Sequence, residues 1–373
     1  MNNERLYLIM KDDLYGYMNR AGEVVIEPQY REAYGFNDEG VAWVNKDFRW
    51  IILHQDGKEY YPPHVHVFHD VFSDGLCSVL INGKYGFVDK WGKIAIKPEF
   101  DFAFNFSEGL AQVLKGSTNY KYLPGEDMLL GFINKSGSLV IDYKFSDGYK
   151  FTEGLASVTE DKLAGYIDKT GEYVIEPKFE AGLEFSEGFA VIKEGELFGY
   201  IDKTGNIQIK PQFWSADGFS EGLAAVFHNN KRKIGFINKE GEFVIKPKFN
   251  RANKFQEGYA PVLHRKKAGY IYKNGKFSFP PKYNYVSDMV DGLGFYSKRR
   301  NIWEIFPERE SGYIDMDNNK IRIRKQKIDK INDQQTFENR SKDVNHNQSL
   351  GIIIHHSFIS GFLGPFASFI IIY

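Results

Sequence analysis

Short apolar runs alternate with polar, glycine-containing turns from the start of the chain to about residue 320. The segments that begin at Gly165 and Gly199 both read Gly-Tyr-Ile-Asp-Lys-Thr-Gly, and the one at Gly235 reads Gly-Phe-Ile-Asn-Lys-Glu-Gly. The apolar runs are short, rich in β-branched and aromatic residues, and show no helical period. The pattern therefore predicts an all-β protein.

This phrase recurs at a nearly constant spacing, which is typical of a repeat protein. Each copy continues with an apolar run, usually a Pro-x-Phe or Pro-x-Tyr step, and then a phrase such as Phe-Ser-Glu-Gly-Leu-Ala. The spacing is 34 to 36 residues except for two longer steps of 45 and 43. The sequence predicts eight units and a partial ninth, which begin at residues 16, 50, 86, 131, 165, 199, 235, 269 and 312.

The polar phrases between the apolar runs predict turns. Asp168 and Gly171 occupy the first and fourth positions of a type I turn, with the glycine in the left-handed conformation. Asn82-Gly83 is the usual signal for a two-residue hairpin. Because proline cannot donate to a sheet ladder, we expect it to end the second strand of each unit. Each unit is then a three-stranded antiparallel meander of about 34 residues, and Leu6 to Lys11 forms an opening strand that caps the array.

We expect these meanders to stack into an open, twisted solenoid-like array, in which each unit buries its apolar strands against its neighbours. The alternative is closure into a β-propeller. Three evident strands per unit are one fewer than the four of a usual propeller blade, which favours the solenoid.

The residues Asp89-Lys90-Trp91-Gly92-Lys93-Ile94 give one unit a Lys-Trp-Gly step. Together with the proline and the Glu-Gly-Leu-Ala phrase at fixed offsets, this pattern resembles the WG-repeat family, also called KWG repeats. The resemblance covers residues 1 to about 320. It implies a bacterial β-repeat protein that binds other macromolecules, and it implies no catalytic residue.

The repeat pattern stops after Ile321. We therefore divide the chain into a repeat array (1–320), a basic and then polar linker that we expect to be disordered (321–349), and a hydrophobic tail (350–373). The tail is 24 residues without a formal charge, long enough to cross a bilayer. It is a membrane segment, a non-native tail, or a peripheral hydrophobic segment. We expect the array to fold and stay soluble without residues 330–373.

Composition limits the class of protein. Lys+Arg is 48 and Asp+Glu is 49, so the formal net charge is -1, which argues against nucleic-acid binding. The single cysteine, Cys77, excludes an intrachain disulfide and a thiolate zinc site. The first residues lack the features of a signal peptide. We expect a cytoplasmic protein, with anchoring by residues 350–373 as the alternative.

Two groups of residues could carry chemistry. His64, His66 and His69 could hold a metal ion, because residues two apart on a strand share a face. A metal-dependent enzyme that uses these histidines is the alternative function. A carboxylate also recurs before a glycine in each unit, but this repetition favours a structural role in a turn. No cofactor is predicted.

The main prediction is a non-enzymatic scaffold that binds another protein or an extended polymer. Both long spacers fall in the same loop of the repeat, and insertions at equivalent positions mark one edge of an array, which is often the binding edge. Tyrosine, tryptophan and arginine are enriched at binding hot spots. The candidate binding residues in these loops are Tyr120, Tyr122, Arg299, Arg300 and Trp303.

Overall fold

The computed structural model describes residues 4–63, 65, 72–116, 128–228, 233–298 and 311–321. Within these residues the chain forms strands and turns with no helix, as the sequence predicts. The strands assemble into nine small antiparallel sheets, which we call blades 1 to 9 in chain order.

Blades 1 to 5 contain the first eighteen strands. Blade 1 contains β1 (Tyr7–Lys11), β2 (Leu14–Met18) and β3 (Val24–Tyr30). Blade 2 contains β4 (Glu32–Ala33), β5 (Val41–Lys46), β6 (Arg49–His54) and β7 (Glu59–Tyr60). Blade 3 contains β8 (Leu76–Ile81), β9 (Lys84–Asp89) and β10 (Ile94–Phe100). Blade 4 contains β11 (Phe102–Ser107), β12 (Leu110–Lys115), β13 (Leu129–Asn134) and β14 (Leu139–Phe145). Blade 5 contains β15 (Asp147–Gly148), β16 (Ala156–Glu160), β17 (Leu163–Ile167) and β18 (Tyr173–Phe179).

Blades 6 to 9 contain the remaining strands. Blade 6 contains β19 (Ala181–Ser186), β20 (Phe189–Glu194), β21 (Leu197–Asp202) and β22 (Ile207–Phe213). Blade 7 contains β23 (Ser215–Ala216), β24 (Ala224–His228), β25 (Lys233–Ile237) and β26 (Phe243–Phe249). Blade 8 contains β27 (Arg251–Ala252), β28 (Tyr259–His264) and β29 (Lys267–Tyr272). Blade 9 contains β30 (Tyr285–Val286), β31 (Gly294–Ser297), β32 (Ser311–Ile314) and β33 (Lys320–Ile321).

The nine blades form a closed ring. The Tyr7 hydroxyl in blade 1 lies 3.4 Å from the carbonyl oxygen of Val290 in blade 9, and the Tyr7 and Tyr313 rings pack edge to face at 5.4 Å. Tyr7, Ile9 and Leu293 belong to one buried cluster. An open solenoid would hold its two ends apart, so that prediction is wrong and the β-propeller alternative is correct. The β1 strand pairs with β2 as predicted, but it joins blade 9 instead of capping an open array.

The sequence missed the first strand of the blade because in several blades, although not in blades 4 and 6, this strand is very short. In blades 5 and 7 this strand is two residues long, Asp147–Gly148 and Ser215–Ala216. A two-residue strand has no alternating pattern, so the sequence of these blades shows only three strands. A complete blade begins after the Pro-x-Phe step, takes in the Leu-Ala strand and the Gly-Tyr-Ile strand, and ends at the next Pro-x-Phe step.

The predicted turns are present. The Gly171 amide donates to the Asp168 carbonyl at 3.0 Å, and Gly171 has a φ of 89°. Asn82 and Gly83 have φ of 51° and 81°, and they connect Ile81 to its partner Lys84. These positive φ values in both central residues belong to the hairpin turn that the Asn-Gly pair predicts.

The proline does not end its strand, which corrects a second prediction. β18 runs through Pro177, and its pairing with β17 shifts between Ile175 and Phe179. Proline is tolerated there because the bulge leaves its nitrogen out of the ladder. The bulge presses against Gly165, since a Cβ at that position would lie 2.7 Å from both the Ile175 oxygen and the Pro177 nitrogen. The repeated glycine is therefore required by the bulge opposite it.

Trp50 replaces the glycine in a blade where the opposing strand has no bulge. It stands at the glycine position of blade 2, where the opposing strand β7 is only Glu59–Tyr60 and pairs without a register shift. The indole stacks on Tyr34 at 5.5 Å between ring centroids. A large residue is accommodated where the described chain has no bulge.

The core lies between neighbouring blades. One cluster joins Val191 and Tyr200 of blade 6 to Val226 and Ile237 of blade 7, and equivalent clusters follow around the ring. Since each blade buries its faces against two neighbours, closure leaves no end blade with an uncovered face.

Candidate functional site

Strand direction alternates within each blade, so the ring has two different ends. The turns between first and second strands and between third and fourth strands lie at one end, which we call the turn end. The hairpins between second and third strands and the links between blades lie at the other end, which we call the loop end. The recurring carboxylates are at the turn end, and both long insertions arise at the loop end.

The recurring carboxylates link each blade to the next. In each link, a carboxylate oxygen accepts a hydrogen bond from the backbone amide of the glycine that follows the acid in the next blade, at 2.7 to 3.0 Å. The described residues contain seven such links: Glu39–Gly75, Asp74–Gly109, Glu108–Gly154, Glu153–Gly188, Glu187–Gly222, Glu221–Gly258 and Glu257–Gly292. We call this set the carboxylate ring.

Lysines pair with four members of the carboxylate ring, Glu108, Glu153, Glu187 and Glu221. Lys169 lies 3.1 Å from Glu108, and Lys273 lies 3.0 Å from Glu221. Burial alone would raise the pKa of Glu108, but hydrogen bonds from Lys169 and from the Gly154 amide hold it below its ordinary value. Because every member accepts a backbone amide of the next blade, the ring has the structural role predicted for the recurring acids.

A second group of ionisable residues lies near the ring axis, on or just after the first strands. We call it the axial cluster: Asp147, Lys150, Glu184, Asp217, Lys254 and Asp288. Lys150 lies 3.8 Å from Glu184 in the next blade, and Asn253 donates to Asp288 at 3.0 Å across another blade boundary. Burial raises the pKa of Glu184, and the charge of Lys254, two blades away, partly opposes that rise, so the first strands converge toward the axis.

The carboxyl groups of the axial cluster are hard to ionise. Burial raises the pKa of Asp217 from 3.8 to about 6. Burial also raises the pKa of Glu184, against the opposing effect of Lys150 and Lys254. Asp147 and Asp288 are shifted in the same direction for the same reason. The cluster can accept hydrogen bonds and pair with cationic groups. No three His, Cys, Asp or Glu side chains within the described ranges are grouped to hold a metal ion.

An exposed group of arginines and aromatics lies at the loop end of blade 2. We call it the arginine–aromatic patch: Arg31, Phe48, Arg49 and Tyr61. The Arg31 guanidinium sits over the Phe48 ring at 3.9 Å from its centroid, and Arg49 sits over Tyr61 at 5.4 Å. Phe48 is 74% exposed and Tyr61 is 54% exposed. The arrangement displays two aromatic rings to solvent, each beside a positive charge.

Phe48 occupies an unfavourable backbone conformation. It is the second residue of the hairpin between β5 and β6, with a φ of 62°, in the region that favours glycine. Gly83, Lys162 and Lys266 hold the equivalent place in blades 3, 5 and 8. A bulky aromatic there costs on the order of 1–2 kcal/mol, and an exposed ring gains little burial in return. Lys162 and Lys266 share this backbone conformation, so Phe48 differs from them in placing a large aromatic ring in solvent.

The binding residues proposed from sequence, Tyr120, Tyr122, Arg299, Arg300 and Trp303, lie outside the described residues, as do His64, His66 and His69. The strands that flank the two insertions are described. β12 ends at Lys115 and β13 begins at Leu129, while β31 ends at Ser297 and β32 begins at Ser311. Both insertions therefore arise from the same hairpin of the blade as Phe48.

Neither the arginine–aromatic patch nor the axial cluster was predicted from the sequence. A phenylalanine between Asp47 and Arg49, at the tip of a predicted hairpin, is a signal that could have revealed the first. The axial cluster has no such signal, because its residue types differ from blade to blade and only the closed ring brings them together. Within the described residues, no helix is long and apolar enough to cross a membrane.

Solved structures of similar fold share little sequence with this chain. A crystal structure of the eukaryotic initiation factor aligns with a TM-score of 0.61 at 9% identity, over 85% of this chain and 94% of that one. A streptogramin B lyase aligns with a TM-score of 0.35 at 18% identity, over 71% and 97%. AztD from Citrobacter koseri gives 0.41 at 11%, over 74% and 93%. The first likeness concerns the fold alone, and the other two carry no argument.

Sequence comparison identifies the repeats themselves. Comparison with curated proteins gives no match. The family model of the WG containing repeat matches seven segments, which together cover more than half of the chain: residues 15–50, 85–118, 131–163, 165–197, 198–231, 234–267 and 269–300. The chain belongs to the family of WG-containing repeat proteins.

Proposed function

We propose that this propeller is a non-enzymatic binding module that holds another protein against its loop end, through the arginine–aromatic patch. The observation that carries the proposal is Phe48, an exposed aromatic ring held at a φ of 62° where a small or polar residue would fit better. The few residues that dominate the binding energy of protein interfaces are enriched in tryptophan, tyrosine and arginine, and the patch contains two arginines and a tyrosine beside Phe48.

The surroundings of Phe48 suit an interface. Arg31 and Arg49 fix the two rings by cation–π contacts, which reduces the conformational entropy that binding would cost. The two inserted loops arise at the same end of the ring. We propose that Tyr120, Tyr122, Arg299, Arg300 and Trp303 extend this surface.

The recurring acids do not favour an enzyme. Their oxygens accept backbone amides and pair with lysines, so the carboxylate ring serves to join blades. A catalytic acid or base instead needs a free proton-transfer position within reach of a substrate.

The test compares two glycine substitutions at matched places. Phe48→Gly removes the ring and relieves its strained φ, and Lys162→Gly makes the same backbone change at the equivalent hairpin of blade 5, where φ is 67°. Each full-length variant is used as bait in a lysate, and captured proteins are identified and titrated by calorimetry. We expect Phe48→Gly to lower the affinity for the captured partner about tenfold or more, while the Tm of the variant is unchanged or higher. Lys162→Gly should leave the affinity for the partner unchanged.

A partner that binds both variants with wild-type affinity would show that the patch is not the interface. A partner lost equally by both variants would place the interface elsewhere on the ring.

A further inference from the structure

The fourth strand is the outermost strand of its blade, and its outer edge pairs with no strand of the described chain. Along that edge, backbone N–H and C=O groups are open to a strand from another molecule, a hazard that folded proteins normally block. Within the described chain, six of the fourth strands are seven residues long: β3, β10, β14, β18, β22 and β26. These long edges differ in how they are protected.

Proline protects five of the six edges. It stands at the fifth position of its strand, as Pro28, Pro98, Pro177, Pro211 and Pro247. Proline has no amide hydrogen, so on an edge strand it removes a donor that an added strand would need. β14 has Tyr143 at this position. Among these six strands, the edge of blade 4 alone keeps the donor.

The amide of Tyr143 belongs to the free edge of β14. The strand has the same bulge as the proline-containing strands, because its pairing with β13 shifts between Ile141 and Phe145. A Cβ on Gly131 would lie 2.7 Å from the Ile141 oxygen, the same close approach as at the other bulges. Since five strands form this bulge with a proline nitrogen, the ladder to the third strand does not need the amide at this position. That amide is left for an acceptor outside the blade.

The side chains beside this amide suit an added strand. Leu139 and Val140 are 41% and 42% exposed. Asp142 and Lys144 are exposed on either side of Tyr143, whose half-buried ring packs against the core cluster of blade 4. Open backbone groups with accessible side chains between them are what strand addition uses for affinity and specificity.

We propose that β14 pairs antiparallel with β14 of a second copy of this chain, about a twofold axis at Tyr143. In this register Asp142 of each protomer lies opposite Lys144 of its partner, so two ion pairs form across the axis. Opposite charges that face each other across antiparallel strands are stabilising, and like charges are destabilising. An axis one residue earlier would place Asp142 opposite itself, and an axis one residue later would place Lys144 opposite itself. The charges therefore select both the partner and the register.

The other long edges do not meet both conditions. Lys246 and Lys248 flank the proline of β26, so two copies of that edge would repel each other. Glu176 and Lys178 of β18 have complementary charges, but Pro177 lies between them and removes the donor. Because a ring has one long edge that meets both conditions, self-pairing closes at two copies and cannot extend into a filament. The pairing lies on blade 4 and leaves the arginine–aromatic patch of blade 2 available.

Sedimentation velocity of the full-length chain over a range of concentrations tests the pairing. We expect the wild type to show a concentration-dependent equilibrium between monomer and dimer. Tyr143→Pro removes the amide and introduces a residue that the same bulge holds in five other blades. It should raise the dissociation constant of the dimer at least about tenfold. Tyr143→Phe keeps both the amide and the ring, and it should dimerise like the wild type.

Charge reversal tests the register. Asp142→Lys places lysine opposite lysine in the dimer, and Lys144→Asp places aspartate opposite aspartate, so each variant alone should dimerise about tenfold more weakly. When the two variants are mixed, every charge at these positions again faces its opposite. The mixture should therefore form a heterodimer with at least the affinity of the wild-type homodimer. Both residues are exposed, so the Tm of each monomer should be unchanged.

A wild-type chain that stays monomeric at every concentration would overturn the proposal. Association that persists undiminished in a folded Tyr143→Pro variant would assign the contact to another surface and overturn it as well. If Tyr143→Pro lowers the Tm, the mixing experiment decides alone, since it uses two substitutions at exposed positions. Two charge variants that dimerise as strongly as the wild type, or that regain no affinity when mixed, would rule out the twofold axis at Tyr143.

Discussion

At the scale of single residues, the repeated glycine is needed because of the strand opposite it. Gly165 sits beneath the bulge at Pro177, and the other equivalent positions split into those with a bulge and those without. Trp50 belongs to the second kind, where the opposing strand β7 is short. The sequence shows the glycine and the proline as separate signals. Their dependence on each other becomes visible only when the register is known.

Gly165→Ala should destabilise the protein by about 2–3 kcal/mol, because the new Cβ would meet backbone atoms at 2.7 Å and the bulge would have to move. Gly35→Ala is the control, since no atom lies within 4 Å of the place that its new Cβ would take and its φ is not left-handed. We expect that change to be neutral or slightly stabilising. Urea unfolding of both variants measures the difference, and similar losses in the two would exclude the bulge contact as the cause.

Asp217 gives a prediction for pH. Its pKa is raised from 3.8 to about 6 by burial, so the folded state binds the proton more tightly and stability falls as pH rises through this range. Asp217→Asn removes the charge. We expect the variant to be more stable than the wild type at pH 7, with the advantage disappearing toward pH 4 and below.

Asp168→Asn should change stability with pH in the opposite direction to Asp217→Asn. Hydrogen bonds from the Thr170 side chain and nearby amides lower the pKa of Asp168, so its contribution is present above pH 3.8 and is lost as pH falls further. Asparagine holds the same turn position at Asn134 and Asn238. This variant should lose stability at pH 7 and match the wild type in acid. Thermal unfolding from pH 3 to pH 8 would reveal the two opposite trends, and parallel profiles would contradict the assignment.

At the scale of elements, the strands differ in how far sequence predicts them. The second, third and fourth strands of most blades have clear apolar patterns and were predicted, as were the hairpin and type I turns. Short strands such as Asp147–Gly148 were not, because two residues carry no period. The sequence prediction ended the strand at Pro177, but β18 continues through it. A proline-containing bulge cannot be recognised until the partner strand is known.

The carboxylate ring joins strands of neighbouring blades, so removing one of its acids should lower the free energy of unfolding. Glu187→Ala removes the acceptor of the Gly222 amide and the partner of Lys239, so we expect a loss of about 1–2 kcal/mol. Glu240→Ala, on an exposed turn of blade 7, should change stability by less than about 0.5 kcal/mol. Chemical denaturation distinguishes them, and equal effects would mean that the links contribute nothing beyond surface charge.

At the scale of the whole molecule, closure is the property that the sequence could not decide. The contacts that close the ring, such as Tyr7 with Val290 and Tyr313, join residues that lie nearly 300 positions apart. The axial cluster depends on the same closure. The binding residues proposed in the inserted loops stay a prediction, and only the common origin of the two loops at one end of the ring is now described.

The seam between blades 1 and 9 should be sensitive to Arg5, which pairs with both Asp38 and Asp291. Arg5→Ala leaves two carboxylates without their shared cation. We expect faster amide hydrogen exchange in β1 and β31, with β17 on the far side of the ring unchanged. Lys58→Ala, which breaks an exposed pair with Asp56 within one turn, is the control. Uniform exchange changes around the ring would show that Arg5 does not act at the seam.

The carboxylate ring has a consequence for how such proteins arise. Every link runs from one repeat to the following one, so a duplicated or deleted repeat would find its partners already in place on both sides. Gene duplication could therefore change the number of repeats one at a time with little local penalty. The number of repeats would affect only the contacts between the first and last blades. Selection on ring size should therefore act on the few residues that form those contacts.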